Sequence, residues 1–301
     1  MTLLDTAAIP ISDETPRRRT RAASWSALTK PRLNLLVLIT AAAGFYFAGG
    51  TDWLVALHLL IGTAATAASA SVLNQLWERD IDALMPRTKR RPLPNGEIAP
   101  REALLGGLLL GIGGTVYLAL LVNILTAGLA LATVLLYVLI YTPLKTRTTW
   151  CTLVGAIPGA VPPVMGVTAA TSAINLHALS VFALLFAWQM PHFWGLAIMY
   201  RRDYAAAGMK MLPVVDGPVL KRTVRSIIVW SVVLLVAGLL PWFLGQTVGI
   251  YLAPAALLGG VMLAAGFNVA ASPQRREARV LFLTSIVYLP IMLLLMLASV
   301  E

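Results

Sequence analysis

The side chains best suited to chemistry form one stripe on a predicted helix that leaves an apolar segment near residue 74. Asn74, Glu78 and Asp82 are four residues apart, so at about 100° per residue they fall within an arc of roughly 80°. Asp80 points to the opposite side of the same helix. Oxygen-bearing side chains on one helix face suit a hard divalent cation such as Mg²⁺, which commonly binds through one or two carboxylates, retained waters and a substrate phosphate. The spacing therefore predicts a site for Mg²⁺ and a phosphate group.

A basic segment follows this stripe directly and would face the same phosphate group. It contains Arg87, Lys89, Arg90 and Arg91. The alternative interpretation is a solvated interfacial loop whose acidic and basic side chains form surface ion pairs. The four-residue register beside an apolar segment favours a binding site over that alternative.

The composition excludes an ordinary soluble fold. The chain has 301 residues, of which 58% are hydrophobic and 12% are charged, so it is long and apolar enough for many spans of about 20 residues. We therefore predict an all-α, polytopic membrane protein. The single cysteine, Cys151, excludes an internal disulfide, and the chain shows no Cys/His cluster for zinc, haem attachment or an iron–sulfur centre. A metal would have to be held by oxygen or histidine ligands.

Hydrophobic segments of spanning length predict nine transmembrane helices. Their expected bounds are Leu33–Gly50, Trp53–Leu73, Ala103–Val122, Ile124–Thr142, Thr152–Ala170, Leu176–Tyr200, Ser226–Gln246, Gly249–Ala270 and Val280–Val300. With the N-terminus in the cytoplasm, all 23 Lys and Arg residues fall on the inner side, as the positive-inside rule requires. Topology thus explains the net charge of +10 without a nucleic-acid partner. Residues 1–30 are expected to be a disordered cytoplasmic tail, and residues 31–301 a single transmembrane domain.

The order of the polar loops indicates an internal repeat of two four-helix units plus a ninth helix. Each unit carries a long polar loop after its second helix, and the two long loops would meet at the inner end. Asp203 in the second loop is the expected metal ligand facing the acids of the first loop. The alternative is an ion pair between Asp203 and neighbouring Arg201 or Arg202.

His192 lies within the sixth predicted span, where a histidine usually faces protein or a cavity because facing lipid is costly. Three roles stay open for its side chain at this point: it could bind iron, act on protons or form a hydrogen bond with a carbonyl group.

The pattern Asn-x-x-x-(Asp/Glu)-x-x-x-Asp followed by Arg-Thr-x-x-Arg-Pro, here residues 74–82 and 87–92, resembles the first acidic motif of the UbiA-type intramembrane prenyltransferases. Within that family the chain is similar to the branch that farnesylates protohaem IX. The similarity to this branch rests on residues 29–32, 77–82, 141–145, 188–193 and 203–214. It covers nearly all of the chain from Thr29 to Val300.

The resemblance implies a nine-helix fold in the cytoplasmic (inner) membrane with an active site facing the cytoplasm. It also implies farnesyl diphosphate as donor, protohaem IX as a substrate rather than a cofactor, and Mg²⁺ as the metal. The metal would be held by the residues Asn74, Glu78, Asp82 and Asp203. Substrate contacts would come from Arg87, Arg91, Lys145, Tyr141, Tyr204 and His192. The partners would be the two substrates, the lipid bilayer and the next haem-modifying enzyme, with no nucleic acid.

Two alternatives remain open from the residues alone. One is the same transfer to another acceptor, either an aromatic acid or a chlorin. The other is a secondary transporter, which the repeat and the prolines within the spans would permit. Transporters tend to place ionisable residues at mid-membrane, whereas the acids here gather at one face, so the sequence favours a prenyltransferase.

Overall fold

The computed structural model describes residues 19–300, and all regular secondary structure in that range is helical. The helices, in chain order, are α1 Arg21–Thr29, α2 Pro31–Phe47, α3 Trp53–Asp82, α4 Pro100–Leu121, α5 Ile124–Leu135, a π-helix Leu136–Tyr141, α6 Thr142–Leu144, α7 Cys151–Thr171, α8 Leu176–Met199, α9 Arg201–Ala206, α10 Leu212–Val215, α11 Lys221–Phe243, a 3₁₀ turn Gly249–Tyr251, α12 Leu252–Ala271 and α13 Arg275–Ala298.

Eight helices of the described residues are long and apolar enough to cross a membrane. A ninth apolar helix, α2, has only 17 residues. Leucine and isoleucine side chains such as Leu109, Leu120 and Ile124 lie on the outside of the bundle and are largely exposed. Apolar surface of that kind is suited to lipid, so the chain is an integral membrane protein.

Two apolar clusters meet at α7, which packs against both α2 and α8. The larger cluster joins α8 to α11, α12 and α13, and the smaller one joins α7 to the earlier helices. Helices α2 and α7 approach closely because Gly44 and Gly166 lie in their contact. A Cβ atom at Gly44 would overlap the Pro163 carbonyl oxygen, and one at Gly166 would overlap that of Ala41. Small residues at such contacts are typical of membrane helices.

The expected disordered tail is wrong for its described part. Residues 1–18 lie outside the described residues, but Arg21–Thr29 forms helix α1. Leu28 on this helix is fully buried, and its carbonyl oxygen accepts a 2.7 Å hydrogen bond from Gln75 Nε2 of α3. Ser24 Oγ donates a 2.6 Å bond to Glu97 in the loop after α3. The basic and polar composition suggested a solvated tail, but the buried face of α1 packs on α3 instead.

Candidate active site

The predicted stripe on α3 lines a cavity of about 160 Å³ between α3, the π-helix and α9. Asn74, Glu78 and Asp82 are 2%, 4% and 1% exposed. The side chain of Asp80 is 86% exposed on the other side of the helix. We call this space the inner cavity; its complete lining is Lys30, Asn74, Glu78, Asp82, Met85, Arg87, Thr88, Arg91, Tyr137, Tyr141, Lys145, Tyr204, Met209 and Met211.

Both buried carboxylates of the inner cavity are paired with cations. Lys145 Nζ lies 2.7 Å from Glu78 Oε1, and Arg91 Nη1 lies 2.6 Å from Asp82 Oδ2. A buried charge is costly unless it has a hydrogen-bonded partner, and each of these two acids has one. Each cation could leave its carboxylate to bind another anion. The carboxylate could then bind a metal ion.

Lys30 is a further cation of this cavity that was not among the predicted site residues. It lies between α1 and α2 in the left-handed backbone region, with φ 48° and ψ 57°. Burial, followed by the charges of Arg91 and Lys145, lowers the pKa of Lys30 to about 8. Its position depends on the docking of α1 against α3. The sequence offered two signals for it, the family motif at residues 29–32 and the Lys-Pro junction before an apolar segment.

The π-helix brings two tyrosines, Tyr137 and Tyr141, to the cavity wall. Pro143 has no N–H to donate to the carbonyl of Leu139, and an α-helical turn would also press its ring against that carbonyl. The backbone widens instead, so that Thr142 N–H bonds to the carbonyl of Tyr137, five residues back. Single π turns of this kind occur frequently at functional sites.

Thr142 connects this π turn to the α3 stripe. Its hydroxyl donates a 2.8 Å hydrogen bond to the carbonyl of Tyr137 and accepts a 2.9 Å bond from Asn74 Nδ2. Because the hydroxyl hydrogen is already used, Thr142 can only accept from Asn74. The amide nitrogen of Asn74 therefore faces Thr142, and its carbonyl oxygen remains available to the cavity.

Asp203 does not line the inner cavity, although its neighbour Tyr204 does. Arg87 belongs to the first loop and reaches towards the second. Its Nε is 4.0 Å from Asp203 Oδ2, and its guanidinium stacks 4.9 Å from the ring centroids of both Tyr200 and Tyr204. Asp203 is thus joined to the first acidic cluster through an arginine rather than by direct contact.

His192 lies away from both loops, in the contact between α8 and α13. Its Nδ1 forms a 2.7 Å hydrogen bond with Ser285 Oγ, and its ring stacks on Trp188 and lies beside Phe282. The structure does not bring His192 to the inner cavity, so nothing in this arrangement places it beside the acids.

The donor set of the inner cavity fits a hard cation. Among the described residues, no three Asp, Glu, His or Cys side chains form a metal cluster. However, Asp82 Oδ1 is buried without a hydrogen-bond partner. Together with the carbonyl oxygen of Asn74 and the carboxylate of Glu78, it offers the oxygen ligands that Mg²⁺ uses when a substrate phosphate completes its coordination.

Comparison with known proteins identifies the family. Residues 37–293 match the model of the UbiA prenyltransferase family. A relative from Solibacter usitatus (strain Ellin6076), named protoheme IX farnesyltransferase, is 43% identical over 90% of this chain and 96% of its own. Another of that name, from Myxococcus xanthus (strain DK1622), is 44% identical over 82% of this chain and 84% of its own.

The chain belongs to the UbiA prenyltransferase family. The resemblance expected from the motifs is confirmed, and the chain is an enzyme of the prenyltransferase class.

Two solved structures have the same fold. Digeranylgeranylglyceryl phosphate synthase superposes with a TM-score of 0.79 at 18% identity, over 93% of this chain and 98% of its own. A UbiA homologue from Archaeoglobus fulgidus bound to GPP and Mg²⁺ superposes with a TM-score of 0.65 at 17% identity, over 91% of this chain and 99% of its own. At such identities the likeness establishes the fold alone, and the site of this chain rests on its own residues.

Proposed function

We propose that this UbiA prenyltransferase transfers the farnesyl group of farnesyl diphosphate to a vinyl group of protohaem IX, giving haem O. The observation that carries the proposal is the inner cavity, where three oxygen-bearing side chains face four cations in a membrane protein. The relatives named protoheme IX farnesyltransferase support the choice of acceptor, since they are 43% and 44% identical to this chain.

In this proposal, Asn74, Glu78 and Asp82 would hold Mg²⁺ in the inner cavity, and Asp203 of the second loop would contribute through Arg87. The bound metal would neutralise the charge that develops on the diphosphate leaving group. Support comes from the buried, unpartnered Oδ1 of Asp82 and from the fixed amide of Asn74.

The cations of the inner cavity bind the diphosphate oxygens. Arg91 and Lys145 lie 2.6 Å and 2.7 Å from the acids, and Lys30 and Arg87 complete the cationic side of the wall. Diphosphate would draw Arg91 and Lys145 away from the carboxylates, which then become available as metal ligands. Binding of diphosphate and of Mg²⁺ should therefore be mutually favourable, because each compensates the charges that the other leaves unpaired.

Aromatic side chains receive the cation that remains after the C–O bond of farnesyl diphosphate breaks. Tyr137, Tyr141 and Tyr204 line the same cavity, and the Tyr141 ring already lies 4.5 Å from the ammonium group of Lys145. Their faces stabilise an allylic cation and exclude water from it. The vinyl group of the acceptor then attacks this carbon, and water captures the new cation, losing a proton to give the hydroxyethylfarnesyl group.

The proposal includes nine spans, with α2 as the first, an N-terminus in the cytoplasm of the inner membrane and a single transmembrane domain. Under this topology all 23 Lys and Arg residues lie on the cytoplasmic side, where the inner cavity opens. A reporter enzyme that is active only after export should be active when it is fused after Ala298. An inactive fusion, together with activity of a cytoplasm-dependent reporter at the same position, would refute the topology.

The activity itself is tested with purified protein, farnesyl diphosphate and Mg²⁺, offering protohaem or 4-hydroxybenzoate as acceptor. The expected product is haem carrying a hydroxyethylfarnesyl group, identified by mass spectrometry of the extracted haem. A prenylated product from 4-hydroxybenzoate alone would overturn the haem assignment. Solute flux into proteoliposomes in the absence of Mg²⁺ and diphosphate would instead favour a transporter.

A further inference from the structure

A second cavity, of about 510 Å³, lies on the other side of α9 from the inner cavity. We call it the arginine pocket. The residues that matter for its chemistry are Arg201, Arg202, Asp203, Pro218, Leu220 and Arg275, which come from α9, from the loop before α11 and from the start of α13.

Two of its arginines have no anionic partner among the residues that the structure describes. The guanidinium of Arg201 is used, because it donates a 2.7 Å hydrogen bond to the carbonyl of Gly217. Arg202 and Arg275 are exposed, and neither forms an ion pair within residues 19–300. The carboxylate of Asp203 lies 4.0 Å from Arg87, so that acid is already engaged by another arginine.

The start of α13 adds to the positive potential of the pocket. Its N-cap residue, Gln274, makes no side-chain capping bond, so the N–H groups of the first turn stay available at this 24-residue helix. Glu277 in that turn does not line the pocket, and one of its carboxylate oxygens is buried. Two guanidinium groups and an uncapped helix start together select an anion with more than one acceptor oxygen.

The arginine pocket and the inner cavity share a wall. Asp203 lines the first and Tyr204 lines the second, and Arg87 contacts both residues. A ligand anchored in the arginine pocket can therefore extend past Tyr200 and Tyr204 towards the reacting carbon. The anchoring group and the reacting group of that ligand must lie on different edges of it.

We propose that the arginine pocket binds the two carboxylates of the acceptor porphyrin, an inference that rests on the proposed function. Protohaem IX carries its propionates and its vinyl groups on different edges of one flat macrocycle, so anchoring the propionates directs a vinyl group towards the inner cavity. Guanidinium groups match carboxylates in shape and charge. Farnesyl diphosphate carries no carboxylate, and its anionic group is accommodated in the inner cavity.

The test compares wild type with the double variant Arg202→Ala/Arg275→Ala, using protohaem and its uncharged dimethyl ester as acceptors. Arg276→Ala is the matched control, because Arg276 is exposed in the same turn of α13 but does not line the pocket. We expect the double variant to raise KM for protohaem about tenfold, the scale of a lost charge-assisted contact. KM for the ester and for farnesyl diphosphate should not change, and the control should behave as wild type.

Three outcomes would overturn the inference. One is an unchanged KM for protohaem in the double variant. Another is an equal change in KM for protohaem and for the ester. The third is a defect that depends on the fraction of anionic phospholipid and not on esterification, which would assign the pocket to a lipid phosphate.

A binding experiment separates this inference from the proposed function. Protohaem is titrated in the Soret band without farnesyl diphosphate, for wild type, the double variant and Arg276→Ala. Weaker binding of the diacid, but not of the ester, in the double variant alone supports the pocket even if no product forms. Wild-type protein that binds but never prenylates protohaem would refute the proposed function and leave the pocket standing, whereas equal binding by all three proteins would refute the pocket.

Discussion

The two long polar loops of this protein occupy matching places in the expected repeat, but they contribute different chemistry. At the end of α3, Glu78 and Asp82 are buried in ion pairs, 2.7 Å from Lys145 and 2.6 Å from Arg91 of the first loop. The second loop presents Asp203, whose side chain is 30% exposed and lies 4.0 Å from an arginine of the first loop. The difference indicates that the acidic cluster at the end of α3 is preformed. The second loop, with its aromatic and cationic side chains, can adjust its position opposite that cluster.

This asymmetry follows from where the acids lie along their helices. Glu78 and Asp82 belong to a continuous 30-residue helix, so their direction is set by α3 as a whole. Asp203 lies in α9, which has only six residues and follows the end of α8. A short helix is held by few contacts, so it can move relative to the bundle more easily than a transmembrane span. Substitutions at the end of α3 should therefore reduce turnover more than substitutions in the second loop.

The largest effect is expected for Asp82→Asn. This change removes a buried charge beside Arg91 and a candidate metal ligand, so turnover of farnesyl diphosphate should fall about 10²–10³-fold. The matched control is Asp80→Asn on the exposed side of the same helix, which should stay within about twofold of wild type because exposed pairs contribute little. Equal losses in both variants would remove the special role of the α3 stripe.

Thr142→Val should have the next largest effect. Valine has a similar shape but cannot accept from Asn74 or donate to the Tyr137 carbonyl, so the amide of Asn74 loses its fixed direction. The Mn²⁺ concentration needed for binding in the presence of a non-ionisable farnesyl diphosphate analogue, measured by electron paramagnetic resonance, should rise about 10–100-fold. Thr142→Ser keeps the hydroxyl and should restore wild-type affinity. If serine fails as valine does, shape rather than hydrogen bonding is responsible.

Asp203→Asn tests the comparison between the loops directly. Because Asp203 reaches the inner cavity only through Arg87 in this structure, we expect activity to fall about tenfold, mainly through KM for farnesyl diphosphate. Arg87→Ala should give a similar change in KM, and the double variant should be less than additive, since the residues act as one unit. A loss as large as that of Asp82→Asn would show that Asp203 ligates the metal directly in the loaded enzyme and that the loops are equivalent.

The smallest effect is expected from pH, acting through Lys30. With a pKa lowered to about 8, its ammonium group is mostly charged at pH 7 and loses its proton as pH rises through that value. Binding of the same diphosphate analogue should therefore weaken about fivefold from pH 7 to pH 9. Lys30→Arg should bind the analogue tightly at both pH values. Lys30→Ala should bind it weakly at both. An unchanged pH dependence in both variants would exclude Lys30 as its source.

Much of the fold followed from local pattern. The apolar segments became helices near the expected bounds, and the four-residue spacing placed Asn74, Glu78 and Asp82 on one face because helical geometry depends only on sequence separation. Helix α1 was not predicted, because the burial of Leu28 against α3 cannot be inferred from local polarity. The position of His192 outside the inner cavity was not predicted either, since the packing of α8 on α13 decides which way its ring points.

The sequence by itself determined that this chain spans a membrane, that its acids form a stripe and which family it resembles, because composition, period and motif are local properties. Only the tertiary structure decided which cations meet those acids. It brought Lys30 and Lys145 to α3 from other parts of the chain, directed the amide of Asn74 through Thr142 and placed Arg87 between the acidic stripe and Asp203. Those contacts join residues far apart in the chain, and the packing of whole helices sets their distances.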